Sequence, residues 1–323
     1  MKAIVRDEYG PPETLRLEEV DRPVPADDQV LVRVRGTSLN TADLDYLKGY
    51  PKVVRLMSGL GKPRDRLLGL DVAGTIESIG DDVSEFSSGD RVWGDLSAHR
   101  YGAFAEYVVA PARVFSPIPA GLDFERAAAM PHSAVLALQG LLGKGPVRAG
   151  EKVLIVGAGG CVGPFAVQIA RNFGAEVTAV DHTGKVDMLR SIGADHVIDY
   201  TLEDVVRNGE TYDLILDIAA RRSFLAYRRS LAPNGRYVQI AHSLTGFFAA
   251  LVLGGLVSMM GSKRLGIFMW RPSRREDLEF LGRLVLDGKL EPLIDRRYPL
   301  AEVPEALSYQ AGGRAQGKVV ITV

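Results

Sequence analysis

Three glycines at regular spacing are the first residues in this sequence whose pattern suggests chemistry. Gly157, Gly160 and Gly163 recur at every third position of the stretch VGAGGCVG, with Cys161 and Val162 between the last two. Such glycines permit a tight turn, close approach of the backbone to a pyrophosphate, and close packing of a helix on a strand. A helix that follows offers unpaired N–H groups to phosphates. The stretch therefore predicts a dinucleotide site lined by these five residues, the alternative being a purely structural turn.

An acidic side chain follows the glycines at the distance expected for ribose recognition. Asp181 ends the apolar run EVTAVD, about 20 residues beyond Gly160. A carboxylate there accepts hydrogen bonds from the ribose hydroxyls and repels a 2′-phosphate, which favours NAD. Lys185 lies one helical turn further on and, assisted by His182, would pair with that phosphate in NADP; a solvated helix position is the alternative for Lys185. We expect NAD or NADP, with a slight preference for NAD.

Alternating strands and helices must position this loop. Lys152–Val156 is a short apolar run, typical of a strand buried on both faces, and Val162–Phe173 has apolar residues at helical spacing. Further strands and helices alternate up to about residue 241, which predicts a doubly wound parallel sheet. Ligands bind outside the carboxyl ends of such strands, so we expect the residues after the fourth and fifth strands to line the cofactor: Ile218, Ala219, Ile240 and His242.

The two ends of the chain have a different texture. From Met1 to about Ala120, short alternating segments are separated by Gly or Pro, which is typical of a compact β-barrel-like domain. Near the other end, two amphipathic helices precede a closing strand, GKVVITV. That strand has no strand–helix rhythm around it, so it can return to the first domain.

Composition narrows the class of protein. In 323 residues, 39 Lys and Arg oppose 40 Asp and Glu, so no overall positive field attracts nucleic acid or an anionic membrane. The single cysteine excludes an intrachain disulfide and fits a reducing, cytoplasmic location. The apolar stretch Leu244–Met260 is shorter than the about 20 residues that span a bilayer. We expect it to be a buried or subunit-contact helix, the alternative being a contact with a membrane surface, and no membrane span.

Five segments occur in an order that belongs to one enzyme superfamily: VRGTSLNTADLDYLKG, LLGLDVAGTIESIGDDVSEFSSGDRVWG, GAFAEYV, GAGGCVGPFAVQIARNFGAEVTAV and LRSIGADHVIDY. With them, the chain resembles the medium-chain dehydrogenase/reductase superfamily, in its zinc-independent, quinone-oxidoreductase-like branch. The resemblance implies an α/β protein with a Rossmann domain at residues 123–267. It also implies a GroES-like catalytic domain at residues 1–122, completed by residues 268–323, an active cleft between the two, and a homodimer.

The same resemblance allows zinc to be tested. Zinc-dependent alcohol dehydrogenases of this superfamily have a Cys in the segment that is Ser38–Asp43 here, and Gly-His-Glu where this chain has Gly69, Leu70 and Asp71. A catalytic zinc takes about three protein ligands and a structural zinc four. Five scattered histidines and Cys161 supply neither set. We therefore expect no metal.

Without a metal, the anion that develops during hydride transfer needs hydrogen-bond donors and a proton source. The resemblance implies that Asn40 lies at the nicotinamide and the substrate carbonyl, the alternative being an Asn that fixes a turn. Asp43 would orient Asn40 or cap the local helix, and we favour such a structural role. Tyr46 and Tyr50 follow along that helix, and a tyrosine near Tyr50 donates the proton in related enoyl reductases. The spacing here is one residue shorter, and packing is the alternative for both tyrosines.

Two further positions come from the resemblance. Leu136 stands where similar proteins have a threonine facing the nicotinamide, and His132 and Ser133 are added nearby. His132 is a candidate proton donor, with a structural histidine as the alternative. Tyr200 corresponds to a residue near the adenosine 2′ side, with packing at the strand end as the alternative.

Together these features predict a zinc-independent NAD(P)H-dependent oxidoreductase that transfers hydride to a small apolar quinone, enone or other activated carbonyl compound. One alternative is an NAD(P)-dependent alcohol dehydrogenase or carbonyl reductase. The other is a dinucleotide-binding protein with a structural or interaction role and little catalysis.

Overall fold

A computed structural model describes residues 1–52, 54–143, 146–240, 263–266 and 270–323. His242 and the segment Leu244–Met260 therefore lie outside the described residues. The chain divides into two compact units, one formed by Met1–Val135 with Arg271–Val323 and the other by Leu136–Trp270.

The secondary structure follows the alternation read from the sequence. The strands are β1 (Lys2–Val5), β2 (Arg16–Glu19), β3 (Gln29–Ser38), β4 (Asp71–Ile79), β5 (Arg91–Asp95), β6 (Tyr107–Pro111), β7 (Phe115–Pro117), β8 (Lys152–Val156), β9 (Glu176–Asp181), β10 (His196–Asp199), β11 (Tyr212–Asp217), β12 (Leu231–Gln239), β13 (Arg264–Gly266), β14 (Ile294–Pro299) and β15 (Lys318–Thr322). The α-helices are α1 (Thr41–Lys48), α2 (Val54–Ser58), α3 (Phe124–Ala128), α4 (Ser133–Leu142), α5 (Gly163–Asn172), α6 (Val186–Ser191), α7 (Phe224–Tyr227), α8 (Arg275–Leu286) and α9 (Val303–Ala311). Single 3-10 turns occur at Pro12–Thr14, Ala112–Val114, Thr183–Lys185, Arg228–Ser230 and Leu300–Glu302.

The first unit is built on a seven-stranded sheet. Its order is β14-β15-β3-β4-β5-β7, and β6 also pairs with β3. β15 runs antiparallel to β3, with Val320 opposite Ser38, so the closing strand returns to the first domain as predicted. Residues 123–135 belong to this unit because α3 packs on β3 and β4 and Ser133 is hydrogen-bonded to Asn40. The boundary between the two units therefore lies between residues 135 and 136, whereas the sequence analysis placed it between residues 122 and 123.

The second unit is built on a six-stranded parallel sheet. Its order is β10-β9-β8-β11-β12-β13, so the chain winds outward from β8 in one direction and then from β11 in the other. The apolar run of β8 is buried between β9 and β11, as its composition requires. The change of direction opens a crevice outside the carboxyl ends of β8 and β11, where such sheets bind ligands. The α/β fold class predicted from the sequence is confirmed.

One helix of the second unit is shorter than its sequence pattern indicates. The pattern predicts a helix over residues 222–232, whereas α7 covers Phe224–Tyr227 and β12 already begins at Leu231. Pro233 lacks the N–H that a helix needs, and Asn234 has φ 62°. Leu231 is buried and pairs with Tyr212, so the segment joins the sheet early.

None of the helices in the described ranges combines the length and the apolar character that crossing a membrane requires.

Candidate functional site

Two glycines of the loop after β8 are required by the fold itself. Gly157 has φ 81°, a region that side chains disfavour, and a Cβ there would lie 3.0 Å from Cβ of Ala219. A Cβ on Gly163, the first residue of α5, would overlap the backbone of Ala158. These positions set the tight turn and the close approach of α5 to the loop.

Gly160 is different, because packing does not explain it. A Cβ on Gly160 would meet only the carbonyl oxygen of Gly157, at 3.7 Å, among the atoms of the described residues. The space beside it adjoins the N-terminus of α5, where Val162 is buried and Cys161 is half-buried. A glycine with open space beside a helix N-terminus is the cradle that a pyrophosphate requires, so the loop fits a dinucleotide.

Asp181 braces this loop from the end of β9. Its Oδ2 accepts the backbone N–H of Gly159 at 2.8 Å, and its Oδ1 accepts the N–H of His182 at 2.9 Å. The residue is 8% exposed, so the carboxylate lies within the wall of the loop. The ring of His182 makes a local hydrogen bond, in which Nδ1 accepts the backbone N–H of Gly184 two residues further on.

Lys185 is buried, and the solvated position that the sequence left open for it is wrong. The residue is 6% exposed, and its stem packs so closely on Gly159 that a Cβ there would overlap it. Within the described part of the chain its ammonium group makes no hydrogen bond. A buried lysine stem with an uncommitted ammonium group beside a phosphate loop is suited to an anionic ligand.

The other predicted cofactor contacts occupy the ends of neighbouring strands. Ile218 and Ala219 follow β11, and both donate backbone N–H groups to the carbonyl oxygen of Val156, which ties their loop to the end of β8. Ile240 is buried after β12. Tyr200 is 46% exposed after β10, with the guanidinium of Arg221 6.0 Å from its ring centroid. His242 is not described.

A second cluster of polar side chains lies in the core of the first unit. Asn40 precedes α1, Asp71 begins β4, Ser133 begins α4 and Lys318 begins β15, and none is more than 1% exposed. Lys318 Nζ contacts Oδ1 of Asn40 at 2.7 Å, Oγ of Ser133 at 3.1 Å and Oδ2 of Asp71 at 3.2 Å. Oδ2 of Asp71 also accepts from Nδ2 of Asn40 at 2.9 Å and from Oγ of Ser38 at 2.6 Å. The cluster is a buried ion pair whose polar groups are closely hydrogen-bonded.

His132 belongs to the same cluster. Its backbone N–H donates to Oδ1 of Asp71 at 2.7 Å, and its Nδ1 lies 2.9 Å from Oδ2 of Asp95 at the end of β5. Burial opposes the charged imidazole, but the charge and hydrogen bond of Asp95, with a contribution from Asp71, raise the pKa of His132 above its ordinary value. The dyad therefore favours the protonated form of this buried imidazole.

Asp43 is a carboxyl group at the edge of the cluster with only one of its oxygens hydrogen-bonded among the described residues. Its Oδ2 accepts the backbone N–H of Asn40 at 2.8 Å, which fixes the start of α1, while Oδ1 is buried without a hydrogen-bond partner among the described residues. Burial, reinforced by the charge of Asp71, raises the pKa of Asp43 to about 7 although the hydrogen bond from Asn40 opposes the rise. Asp43 thus has the structural role that we favoured, and it also carries a proton over part of the neutral range.

The two tyrosines that the sequence offered as candidate proton donors lie in different surroundings. Tyr46 is half-buried on α1 with its ring centroid 4.4 Å from that of Tyr101; burial and a hydrogen bond with Tyr46 raise the pKa of Tyr101. Tyr50 is 64% exposed beyond the end of α1. The structure thus brings Asn40 and His132 into one network, through Asp71, and leaves Tyr50 outside it.

Sequence reasoning missed Lys318, Asp71 and Asp95 as members of this network and noted Ser133 only as a neighbour of His132. Lys318 opens an apolar strand, where a lysine is ordinarily solvated, and it is buried because β15 lies between β3 and β14 in the sheet. In the described residues, no set of three or more His, Cys, Asp or Glu side chains is arranged to hold a metal ion.

Known proteins resemble this chain over its whole length. The family described as "Alcohol dehydrogenase GroES-like domain" matches residues 26–120, and "Zinc-binding dehydrogenase" matches residues 192–321. A mitochondrial NAD(P)H oxidoreductase of Mus musculus is 30% identical across 100% of this chain and 89% of its own. A 2-methylene-furan-3-one reductase of Solanum lycopersicum is 31% identical across 99% and 79%. The structure of the quinone oxidoreductase from Coxiella burnetii matches with a TM-score of 0.87 at 29% identity, covering 100% of this chain and 99% of that one.

Proposed function

Because the chain belongs to the medium-chain dehydrogenase/reductase superfamily, in its quinone-oxidoreductase-like branch, we propose that it is an NAD(P)H-dependent oxidoreductase that reduces quinones, enones or related activated carbonyl compounds. Relatives named for NAD(P)H oxidation, for an enone and for a quinone all cover most of its length. The reaction that we propose for this chain is the addition of a hydride and a proton to an acceptor conjugated with a carbonyl group.

The observation that carries the proposal is the open space beside Gly160. No described side chain fills it, while Gly157 and Gly163 on either side are held by packing. Gly157, Gly160 and the N-terminus of α5 would hold the pyrophosphate, and Asp181 and Lys185 the adenosine ribose end. The reduced nicotinamide supplies the hydride when bound.

We propose that the loop accepts both dinucleotides, with NADPH bound at least as tightly as NADH. The slight preference for NAD rests on repulsion between Asp181 and a 2′-phosphate. Both oxygens of Asp181, however, already accept backbone N–H groups, which compensate part of its charge. The buried stem of Lys185 next to Gly159 supports a phosphate contact for its ammonium group.

The polar cluster supplies the remaining functions in this proposal. Asn40 offers a neutral hydrogen-bond donor for the oxygen on which charge develops. The His132–Asp95 dyad is the proton reservoir in this proposal, because Asp95 raises the pKa of His132 and compensates the charge of its protonated ring. Tyr46 and Tyr50 stay candidate proton donors, and Tyr50 is the weaker one because it lies outside the network.

We propose that these steps need no zinc. Oδ2 of Asp71 accepts from Ser38, Asn40 and Lys318, and its Oδ1 accepts from His132, so both oxygens are engaged. The cation in this cluster is the ammonium of Lys318. One matching family is described as zinc-binding, so metal content is to be measured directly on the purified protein.

Stopped-flow oxidation of NADH and NADPH with a p-quinone and with an enone tests the proposal. We expect turnover with at least one acceptor class, unchanged after chelation. Cofactor binding without turnover on any acceptor would favour a dinucleotide-binding protein instead. Chelator-sensitive oxidation of simple alcohols, with zinc in the protein, would favour the alcohol dehydrogenase alternative.

The homodimer and the cytoplasmic location also stay proposals. Light scattering of the purified protein tests the first. Fractionation of the cells that produce it tests the second.

A further inference from the structure

Lys318 is fully buried, and each of its three N–H donors has an acceptor. The acceptors are Oδ1 of Asn40, Oγ of Ser133 and Oδ2 of Asp71, at 2.7, 3.1 and 3.2 Å. Replacing a buried ion pair by apolar side chains of similar volume is often neutral or stabilising. Stability alone therefore does not explain a lysine here, and its contacts suggest what it does.

These contacts fix which way the Asn40 carboxamide points. Oδ1 accepts from Lys318 and from Oγ of Ser133 at 2.9 Å, while Nδ2 donates to Asp71 at 2.9 Å. A flipped amide would set its NH2 group against the ammonium and its oxygen against the carboxylate. The network therefore permits one orientation only.

One hydrogen of the amide is left nearly uncommitted. Among the described residues, the second N–H of Nδ2 has only the carbonyl oxygen of Ser38 as an acceptor, at 3.5 Å, which is at the outer limit of a hydrogen bond. A charge-assisted bond from the ammonium to Oδ1 draws electron density away from Nδ2 and so strengthens this donor. Burial increases the effect, since the local dielectric is low.

We propose that Lys318 is a positioning residue that orients and polarises the Asn40 carboxamide, so that its second N–H stabilises the negative oxygen formed on the quinone or enone acceptor. The proposal rests on the proposed function. Lys318 does not touch the acceptor and acts only through Asn40.

A double-mutant cycle tests this coupling. Lys318→Met is expected to lower kcat by about 10- to 100-fold with the KM for NAD(P)H unchanged, as for other residues that orient a reacting group. Asn40→Ala lowers kcat as well, and adding Lys318→Met to it costs nothing further. Lys289→Met, at an exposed lysine of the same unit, is the matched control and keeps wild-type kinetics. A folded Lys318→Met with wild-type kcat, or two losses that multiply, would overturn the proposal.

Folding is checked on the same samples by thermal unfolding. Lys318→Met leaves the Asp71 carboxylate buried without its cation. If that variant does not fold, the cycle is repeated in an Asp71→Asn background. Lys318→Met is then added to Asp71→Asn and to Asn40→Ala/Asp71→Asn, which serve as the two reference proteins. The expectation is the same: Lys318→Met lowers kcat only where Asn40 is present. Equal losses with and without Asn40 would overturn the proposal.

A spectroscopic readout separates this inference from the proposed function. The side-chain amide signal of Asn40, assigned by its loss in Asn40→Ala, is expected to shift upfield in nitrogen when the cation is removed in the variant that folds. An unchanged signal overturns the proposal even if the wild type turns over. A shifted signal in a protein without turnover supports the polarisation and contradicts only the proposed function.

Discussion

The carboxylate of Asp181 accepts the backbone N–H of Gly159 across 2.8 Å, although one residue ends β9 and the other lies in the loop after β8. A side chain expected to face the ribose thus also braces the phosphate loop. Because Lys185 packs on the same glycine, one backbone position contacts both of the side chains that we propose to discriminate between the cofactors.

Asp181→Ala is expected to shift cofactor preference towards NADPH. Losing the brace affects both dinucleotides alike, so the ratio of their dissociation constants isolates the ribose contact. We expect the ratio for NADH over NADPH to rise about tenfold, the equivalent of about 1.4 kcal/mol. Fluorescence titration with each reduced cofactor measures it, and an unchanged ratio would remove Asp181 from ribose recognition.

Lys185→Met is expected to have the opposite effect. Methionine keeps an apolar stem against Gly159 but removes the ammonium group, so NADPH affinity should fall by about tenfold while that for NADH is retained. The same titration applies, with thermal unfolding to verify that the loop is intact. Equal weakening of both cofactors would indicate that Lys185 only packs.

Gly160→Ala and Gly163→Ala separate ligand space from packing. The methyl group at 160 meets nothing closer than 3.7 Å in the described residues, so we expect wild-type thermal unfolding with dinucleotide affinity at least about tenfold lower. The methyl group at 163 overlaps the backbone of Ala158 and should cost roughly 3 kcal/mol of stability. Gly160→Ala with wild-type affinity would contradict the pyrophosphate site.

The sequence predicted the dinucleotide loop because its determinants are contiguous. A buried strand, Gly157 to Gly163 and an amphipathic helix follow one another, and each constrains the next through local backbone geometry. Burial of Lys185 was not predictable in this way, since it depends on how the turn after β9 packs on Gly159.

The polar cluster was only half predictable. Asn40 and His132 were singled out by resemblance, but Lys318 Nζ reaches Asn40 Oδ1 across 278 positions of sequence. No local periodicity encodes that approach, because it arises from the antiparallel pairing of β15 with β3. The consecutive apolar residues of β15 indicated a strand, but only the tertiary structure shows which residues its lysine contacts.

Tyr237→Phe is expected to destabilise the second unit, and more so at higher pH. The phenol of Tyr237 donates to Oδ2 of Asp217 at 2.8 Å, and Asp217 is fully buried. Burial raises the pKa of Asp217 while the hydrogen bond from Tyr237 opposes the rise. Losing the donor should cost about 1–3 kcal/mol, and more at pH 8 than at pH 5 because the ionised carboxylate needs it most.

Chemical denaturation at the two pH values measures this effect. Tyr227→Phe is the matched control, because the ring of Tyr227 stacks on that of Tyr237 with centroids 5.7 Å apart and the substitution also removes a phenol hydroxyl group. Equal losses for the two variants would mean that the bond to Asp217 is not the cause.

Asp43→Asn is expected to flatten the dependence of stability on pH. The pKa of Asp43 is raised from its ordinary 3.8 to about 7, so between these values the folded state binds more protons than the unfolded state. Stability from this group is therefore complete below about pH 4 and is lost as the pH rises through 7, by about 4 kcal/mol in all. His132 acts in the same direction, because its raised pKa gives stability that is lost as the pH passes that value.

The asparagine variant mimics the protonated acid, since its amide oxygen still accepts from Asn40 N–H and its NH2 group replaces the hydroxyl. The denaturation midpoint should therefore fall steeply from pH 5 to pH 8 in the wild type and less steeply in Asp43→Asn. Asp187→Asn is the control and should show the wild-type slope, because the carboxylate of Asp187 is fully exposed. Asp71, His132 and Lys318 face Asp43 in both proteins, so their charges contribute the slope that remains. Parallel slopes for the wild type and Asp43→Asn would show that Asp43 is already ionised at pH 5, and would exclude it as a holder of a proton.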